Sequence, residues 1–286
     1  MNQFVTLYEM APRDGLQNEK QHIPTDSKIK LVDLISECAF KKVEVTSFVS
    51  PKWVPQLADA TEVMAGIKRM PGISYGALTP NLKGLDRALE AAADEVGIFG
   101  AASETFSQKN INCSIDESLE RFRPVVEKAS AHNVPVRGYI SCITQCPYEG
   151  PIPPESVLRV VRALSSMGVY EISLGDTIGA GTPETIGAML DVILGEFPAH
   201  MLAGHYHDTE NRALENVDIS LEKGLRTFDA AIGGLGGCPY APGAKGNVDT
   251  LKVNALLHAR GFETGLDSTG LERVADYVVE LKGQVE

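Results

Sequence analysis

Apolar positions along the chain follow two alternating periods. Short runs rich in β-branched and aromatic residues recur at 4–10, 42–48, 73–79, 95–101, 135–141, 170–176, 201–207 and 227–233. Each runs into a turn containing Gly, Pro, Asn or Ser, the pattern of a short strand. Between them, apolar residues return at the 3.6-residue spacing of an amphipathic helix, as at 28–39, 84–93, 116–132, 155–168, 183–197 and 211–224. Further helices are predicted from about Val248 and over Leu271–Lys282. Strands that alternate strictly with helical crossovers run parallel, and eight such units close as a barrel. The fold class expected is therefore α/β, a single (β/α)8 TIM barrel over residues 1–286, with no linker or second domain. A doubly wound open sheet is the alternative, but it calls for a Gly-rich phosphate loop after the first strand. Here that strand runs into Ala11, Pro12, Arg13, Asp14 and Gly15.

Composition narrows the function more than the fold. Hydrophobic residues make up 43% and charged residues 22% of the 286, with mean hydropathy −0.06, the balance of a soluble chain able to bury a core. Lys and Arg number 26 against 38 Asp and Glu, and a net charge of −12 opposes binding to nucleic acid or an anionic membrane. No apolar stretch approaches the ~18 residues of a membrane span. The five cysteines, from Cys38 to Cys238, are odd in number and scattered, which suits a reducing compartment. Cys142 and Cys146 lack the second pair of a structural zinc site. With no secretory or transit pattern in MNQFVTLYEM, a cytoplasmic location is expected.

A barrel places its chemistry at the C-terminal ends of its strands, and polar residues concentrate there. The first strand is followed by Arg13 and Asp14, the second carries Glu44 and Thr46, the sixth ends at Asp176, and the seventh carries His205 and His207. Alternation along a strand points both histidines to one face and Tyr206 to the other. Two imidazoles so spaced can chelate one ion, with Asp14 the best-placed carboxylate; paired core histidines are the plainer alternative. Oxygen ligands beside imidazoles suit Mg2+ or Mn2+, whereas zinc more often takes thiolates. Glu44, on an otherwise apolar strand, either pairs with Arg13 or acts on the substrate. Asp176 either does chemistry or caps the following turn.

Residues 233–247 hold six glycines, two prolines and Cys238 in fifteen positions. Such a segment is neither a helix nor a central strand, and over a barrel mouth it reads as a lid-like loop. Cys238 there is either an incidental thiol or a proton donor or nucleophile.

PRDGLQ (12–17), NEK (18–20), TSFVSPKWVP (46–55), LTPNLKG (78–84), FGAASE (99–104), KNINCS (109–114), CPYEG (146–150), SLGDTIG (173–179) and GLGGCPYA (234–241) occur in this order. Together they closely resemble the 3-hydroxy-3-methylglutaryl-CoA lyases, within the DRE-TIM metallolyase superfamily, over residues 4 to about 270. The resemblance implies metal-dependent retro-Claisen cleavage of HMG-CoA to acetyl-CoA and acetoacetate, in a homodimer. It assigns the divalent cation to Asp14, His205, His207 and Asn247, and the enolate oxygen to Arg13. It assigns proton transfer to Cys238, makes Glu44 and Asp176 necessary acids, and brings Lys20, Lys109 and Asn110 near the acyl-CoA. Where the family commonly continues Tyr-Gly after the histidines, this chain has Glu210 and Asn211, which puts substrate preference in question. The extended cysteine-bearing tail of some eukaryotic relatives is not matched here, so thiol regulation through it is not expected. A lyase for citramalyl-CoA or a longer 3-substituted glutaryl-CoA is one alternative. A Claisen-type acyltransferase resembling isopropylmalate or homocitrate synthase is another, although those chains carry added C-terminal regions.

Overall fold

The computed structural model describes residues 3–19, 21–237 and 245–283. Its first half runs β1 (Thr6–Glu9), α1 (Thr25–Ser36), β2 (Lys42–Ser47), α2 (Ala60–Gly66), β3 (Ser74–Leu78), α3 (Leu82–Glu90) and β4 (Glu95–Ala101). Helices α4 (Glu104–Ile111) and α5 (Ile115–Ala131) lead to β5 (Val136–Ser141), and a hairpin of β6 (Gln145–Cys146) and β7 (Gly150–Pro151) leads to α6 (Pro154–Met167). Then come β8 (Glu171–Asp176), α7 (Pro183–Leu194), β9 (Leu202–Tyr206), α8 (Ala213–Glu222), β10 (Thr227–Ala230), α9 (Thr250–Ala259) and α10 (Ser268–Gly283).

The barrel closes in the order β1-β10-β9-β8-β5-β4-β3-β2, every pair parallel. These are the eight strands that the hydrophobic pattern predicts. It does not anticipate α2, α4 or the hairpin, because helices of seven and eight residues and strands of two are too short to display a period. Several helices begin where a side chain can take an orphan backbone amide. Asn81 caps α3, Ser103 caps α4, and Ser114 with Glu117 forms a capping box at α5.

Most of the core lies between the strands and the surrounding helices, where Leu31, Ile35, Val160, Leu164, Ile186 and Leu190 are fully buried. Each such side chain contributes roughly 1.5–3 kcal/mol through removal from water. Inside the barrel the filling changes. Tyr8, Met10, Leu78 and Tyr139 form a small cluster of their own, and Glu44, Glu95, Arg137 and Asp229 are buried beside it. Barrel interiors are usually filled by branched apolar side chains, so this polar filling marks a purpose other than packing. Room for it comes from glycine: a Cβ on Gly97 would stand 2.8 Å from the Tyr139 ring, and one on Gly76 would strike the Tyr8 hydroxyl.

Candidate active site

A cavity of about 960 Å³ opens at the C-terminal ends of the strands, lined among others by Arg13, Asp14, Tyr139, His205 and His207. Arg13 and Asp14 sit on one tight turn, Ala11–Gly15, directly after β1. The turn packs so closely on the glycine-rich segment that a Cβ on Gly15 would lie 2.8 Å from Leu235 Cβ. His205 is on β9 and His207 just beyond it, their Nε2 atoms 3.3 Å apart. Tyr206 points the other way and shares a hydrogen bond with Ser220 of α8, as strand alternation requires. Asp14 Oδ2 lies 3.9 Å from His205 Nε2 and 4.0 Å from His207 Nε2. One ligand atom from each of the three falls within 4.8 Å of the others.

Asn247 joins this cradle from a distant part of the chain, its amide donating to Asp14 Oδ2 at 2.7 Å. Its carbonyl oxygen Oδ1 and His207 Nδ1 are buried without a hydrogen-bond partner among the described residues. Orphaned buried polar atoms are rare and call for an explanation, and a cation held by the Asn247 oxygen supplies one. The charge states agree with that. Burial, followed by the neighbouring His205, depresses His207 to about 4, which leaves a neutral imidazole. Burial pushes Asp14 up, but Arg13, both histidines and Asn247 outweigh it and bring its carboxyl to about 2. Neutral imidazole and ionised carboxylate are the ligand forms a divalent metal takes.

The remaining predicted positions divide between the cavity and its supports. Lys109 and Asn110 of α4 line the cavity, as does Arg121. Glu44 is buried behind Arg13, accepting from its Nε and, at 2.9 Å, from the Tyr139 hydroxyl. Burial works against the Arg13 charge, but Glu44 and Asp14 hold the guanidinium firmly protonated. Of the two readings for Glu44, the geometry supports the ion pair, so its effect on chemistry runs through Arg13. Asp176 accepts from the Gly181 amide at 2.8 Å and from Thr144, and burial raises it to about 6. It therefore caps the 177–181 turn and does not line the cavity. Glu210 and Asn211 also stand outside the cavity wall. Asn211 takes φ 59°, a left-handed conformation that Asn tolerates and Gly adopts freely, and it accepts from Lys245 at the stem of the glycine-rich loop. Lys20 and Cys238 lie outside the described residues.

The sequence reading missed the support behind His205. His205 Nδ1 lies 3.1 Å from Asp229 of β10. Asp229 also accepts two bonds from Arg137, at 2.8 and 2.9 Å, and one from Ser173 at 2.7 Å, while Arg137 Nε donates to Glu171. Arg137 and Asp229 are charges in the middle of apolar strands, the same signal that singled out Glu44, and it could have found them.

A parallel eight-stranded barrel whose strand ends bring two imidazoles, a carboxylate and a locked guanidinium to one cavity is built as a barrel enzyme with a candidate metal site. Within that class the chain belongs to the HMGL-like family, whose model matches residues 5–278. It is 52% identical over 280 residues to the 3-hydroxy-3-isohexenylglutaryl-CoA/hydroxymethylglutaryl-CoA lyase of Pseudomonas aeruginosa, covering 98% of this chain and 93% of that one. The crystal structure of an HMG-CoA lyase from Brucella melitensis is 56% identical and superposes with a TM-score of 0.96 over 98% of this chain and 99% of that one. An HMG-CoA lyase from Acinetobacter baumannii, solved with coenzyme A and 3-methylmalate, is 37% identical, with a TM-score of 0.94 over 98% and 92% of the two chains.

Proposed function

We propose that this protein cleaves 3-hydroxy-3-methylglutaryl-CoA to acetyl-CoA and acetoacetate with Mg2+ or Mn2+. The observation that carries the reading is the convergence of Asp14, His205 and His207 beside Arg13 in the cavity, with Asn247, whose carbonyl oxygen is buried and unpartnered among the described residues, bonded to Asp14 behind them. Oxygen donors with imidazoles, and no thiolate among the described ligand atoms, favour a hard cation. Bound there, the cation would supply Lewis-acid polarisation of the substrate's tertiary hydroxyl and carboxylate. Asp14 Oδ2 and His205 Nε2, 3.9 Å apart, are the acceptors offered for the hydroxyl proton. As the bond between C2 and C3 breaks, Arg13, aimed by Glu44, would hold the developing charge on the thioester enolate oxygen. Cys238, in the loop 233–247, would deliver the proton that completes acetyl-CoA. Lys109, Asn110 and Lys20 would meet the acyl-CoA.

Purified protein with Mg2+ or Mn2+ should release acetoacetate from HMG-CoA, and EDTA should abolish release. No cleavage with metal present overturns the reading. Cys238→Ser should lose most turnover and keep its metal; unchanged turnover removes the thiol from the mechanism. A second reading, cleavage of substrates with longer 3-substituents, is favoured by the apolar side chains of Leu78, Phe99, Phe106 and Phe122 in the same cavity. Relative kcat/KM across such esters separates the two. No helix among the described residues is long and apolar enough to cross a membrane. Among the described residues, Cys38, Cys113, Cys142 and Cys146 are buried and form no disulfide, which supports a reducing cytoplasm. A homodimer, implied by the family resemblance, is tested by light scattering.

A further inference from the structure

Glu9, the last residue of β1, is fully buried and does not line the cavity. Its Oε1 accepts from the backbone amides of Ala11 at 2.9 Å and Ile232 at 3.0 Å. Its Oε2 accepts from the Thr250 hydroxyl at 2.7 Å. These donors open three separate segments. Ala11 begins the turn that carries Arg13 and Asp14, Ile232 begins the turn Ile232–Gly234 at the entrance to the glycine-rich segment, and Thr250 starts α9 just after Asn247. Glu44 and Asp229 each face an arginine, whereas no Lys or Arg is hydrogen-bonded to Glu9 among the described residues. A carboxylate buried without a cation is costly, so what keeps it there is the set of three donors it gathers.

We propose that Glu9 is a positioning residue that locks the Arg13–Asp14 turn, the entrance to the glycine-rich segment and the Asn247 segment in one register. It touches neither substrate nor cation and acts through Ala11, Ile232 and Thr250. The lock needs an acceptor facing two amides, not a charge. Burial pushes the Glu9 carboxyl up to about 7, Asp249 adding to it and the three donors opposing. The neutral acid keeps all three bonds: Oε1 still accepts from both amides, and Oε2–H donates to Thr250, whose hydroxyl turns to accept. A glutamine side chain reproduces the same pattern.

The inference rests on the metal-dependent lyase reading, which the wild-type cleavage assay tests. Direct Mn2+ binding, followed by calorimetry or electron paramagnetic resonance, tests the lock whatever the substrate. Glu9→Ala should weaken Mn2+ binding and lower kcat by roughly 10- to 100-fold, the scale for residues that support metal ligands, with KM for HMG-CoA little changed. Glu9→Gln should restore Mn2+ affinity to near the parent value, and Thr250→Val, which removes only the Oε2 donor, should fall between. Parent-like Mn2+ affinity and kcat in Glu9→Ala overturn the proposal. A glutamine variant as impaired as the alanine one also overturns it, since charge would then be what matters. If circular dichroism finds Glu9→Ala unfolded, the other two variants decide: near-parent affinity in Glu9→Gln with a loss in Thr250→Val upholds the lock, and the reverse order sinks it.

Discussion

Two groups of buried charge share the inside of this barrel, and they are finished to different degrees. In the deeper group Glu95 is bonded by Tyr8, Lys42, Ser74 and Tyr170, and Arg137 is divided between Asp229 and Glu171. No polar side-chain atom there is left over among the described residues. In the group at the mouth, Asn247 Oδ1 and His207 Nδ1 are orphaned, and the one other such atom among the described residues, Asn216 Oδ1, belongs to α8 and to neither group. A closed network of this kind fixes geometry, while an open one facing a cavity is completed by what binds there. Asp229 belongs to both, since it takes Arg137 from below and holds His205 above.

That contrast can be broken at several points. Arg137→Leu strands two buried carboxylates, and should lower unfolding free energy by about 3–5 kcal/mol in denaturant titration; a loss under about 1 kcal/mol would mean the deeper network is dispensable. Arg13→Gln, at the mouth, takes the arginine from buried Glu44 but leaves it the Tyr139 hydroxyl; it should cost less stability than Arg137→Leu and keep its metal while kcat drops by about 10²–10³-fold. Should its melting point fall as far as that of the Arg137 variant, the two regions are not distinct in kind. Asp229→Asn tests the junction: Mn2+ affinity should weaken by roughly 10- to 100-fold as the hydrogen bond that sets the His205 tautomer changes, and unchanged affinity would detach His205 from its support.

Smaller effects are expected away from those centres. A Glu9 carboxyl raised from 4.5 to about 7 favours the folded state most below the ordinary value, and that contribution is lost as pH rises through the folded value. Glu9→Gln does not titrate, so its melting temperature relative to the parent should climb by a few degrees between about pH 5 and about pH 8. A flat difference would place Glu9 in a less buried setting than the structure has it. Lys42→Met should cost the least, about 1 kcal/mol, because its side chain is 22% exposed and Glu95 retains three other donors.

Much of the site was legible because strand periodicity and strand ends are local properties. His205 and His207 two positions apart announced a shared face, and Arg13 and Asp14 at a strand end announced a barrel-mouth pair. Glu44 was recognisable as an anomaly on an apolar strand, though its partner was left open between Arg13 and the substrate. Asp229 and Arg137 carried the same anomaly as Glu44 but were passed over along with Glu9, because the groups that explain all three come from other parts of the chain. Glu9 is separated by 223 positions from Ile232 and by 241 from Thr250.

By itself the sequence determined the alternation of strand and helix, the closed barrel it implies, the family, and the residue types available at each strand end. Those follow from periodicity and from side-chain chemistry, which neighbours along the chain suffice to express. Only the tertiary structure decided which charges complete one another. Barrel closure sets β1 beside β10 and brings Asn247 to Asp14 across 233 positions. Whether a buried charge is a support or an unfinished ligand depends on what surrounds it in space, and that surrounding exists only once the eight strands have closed.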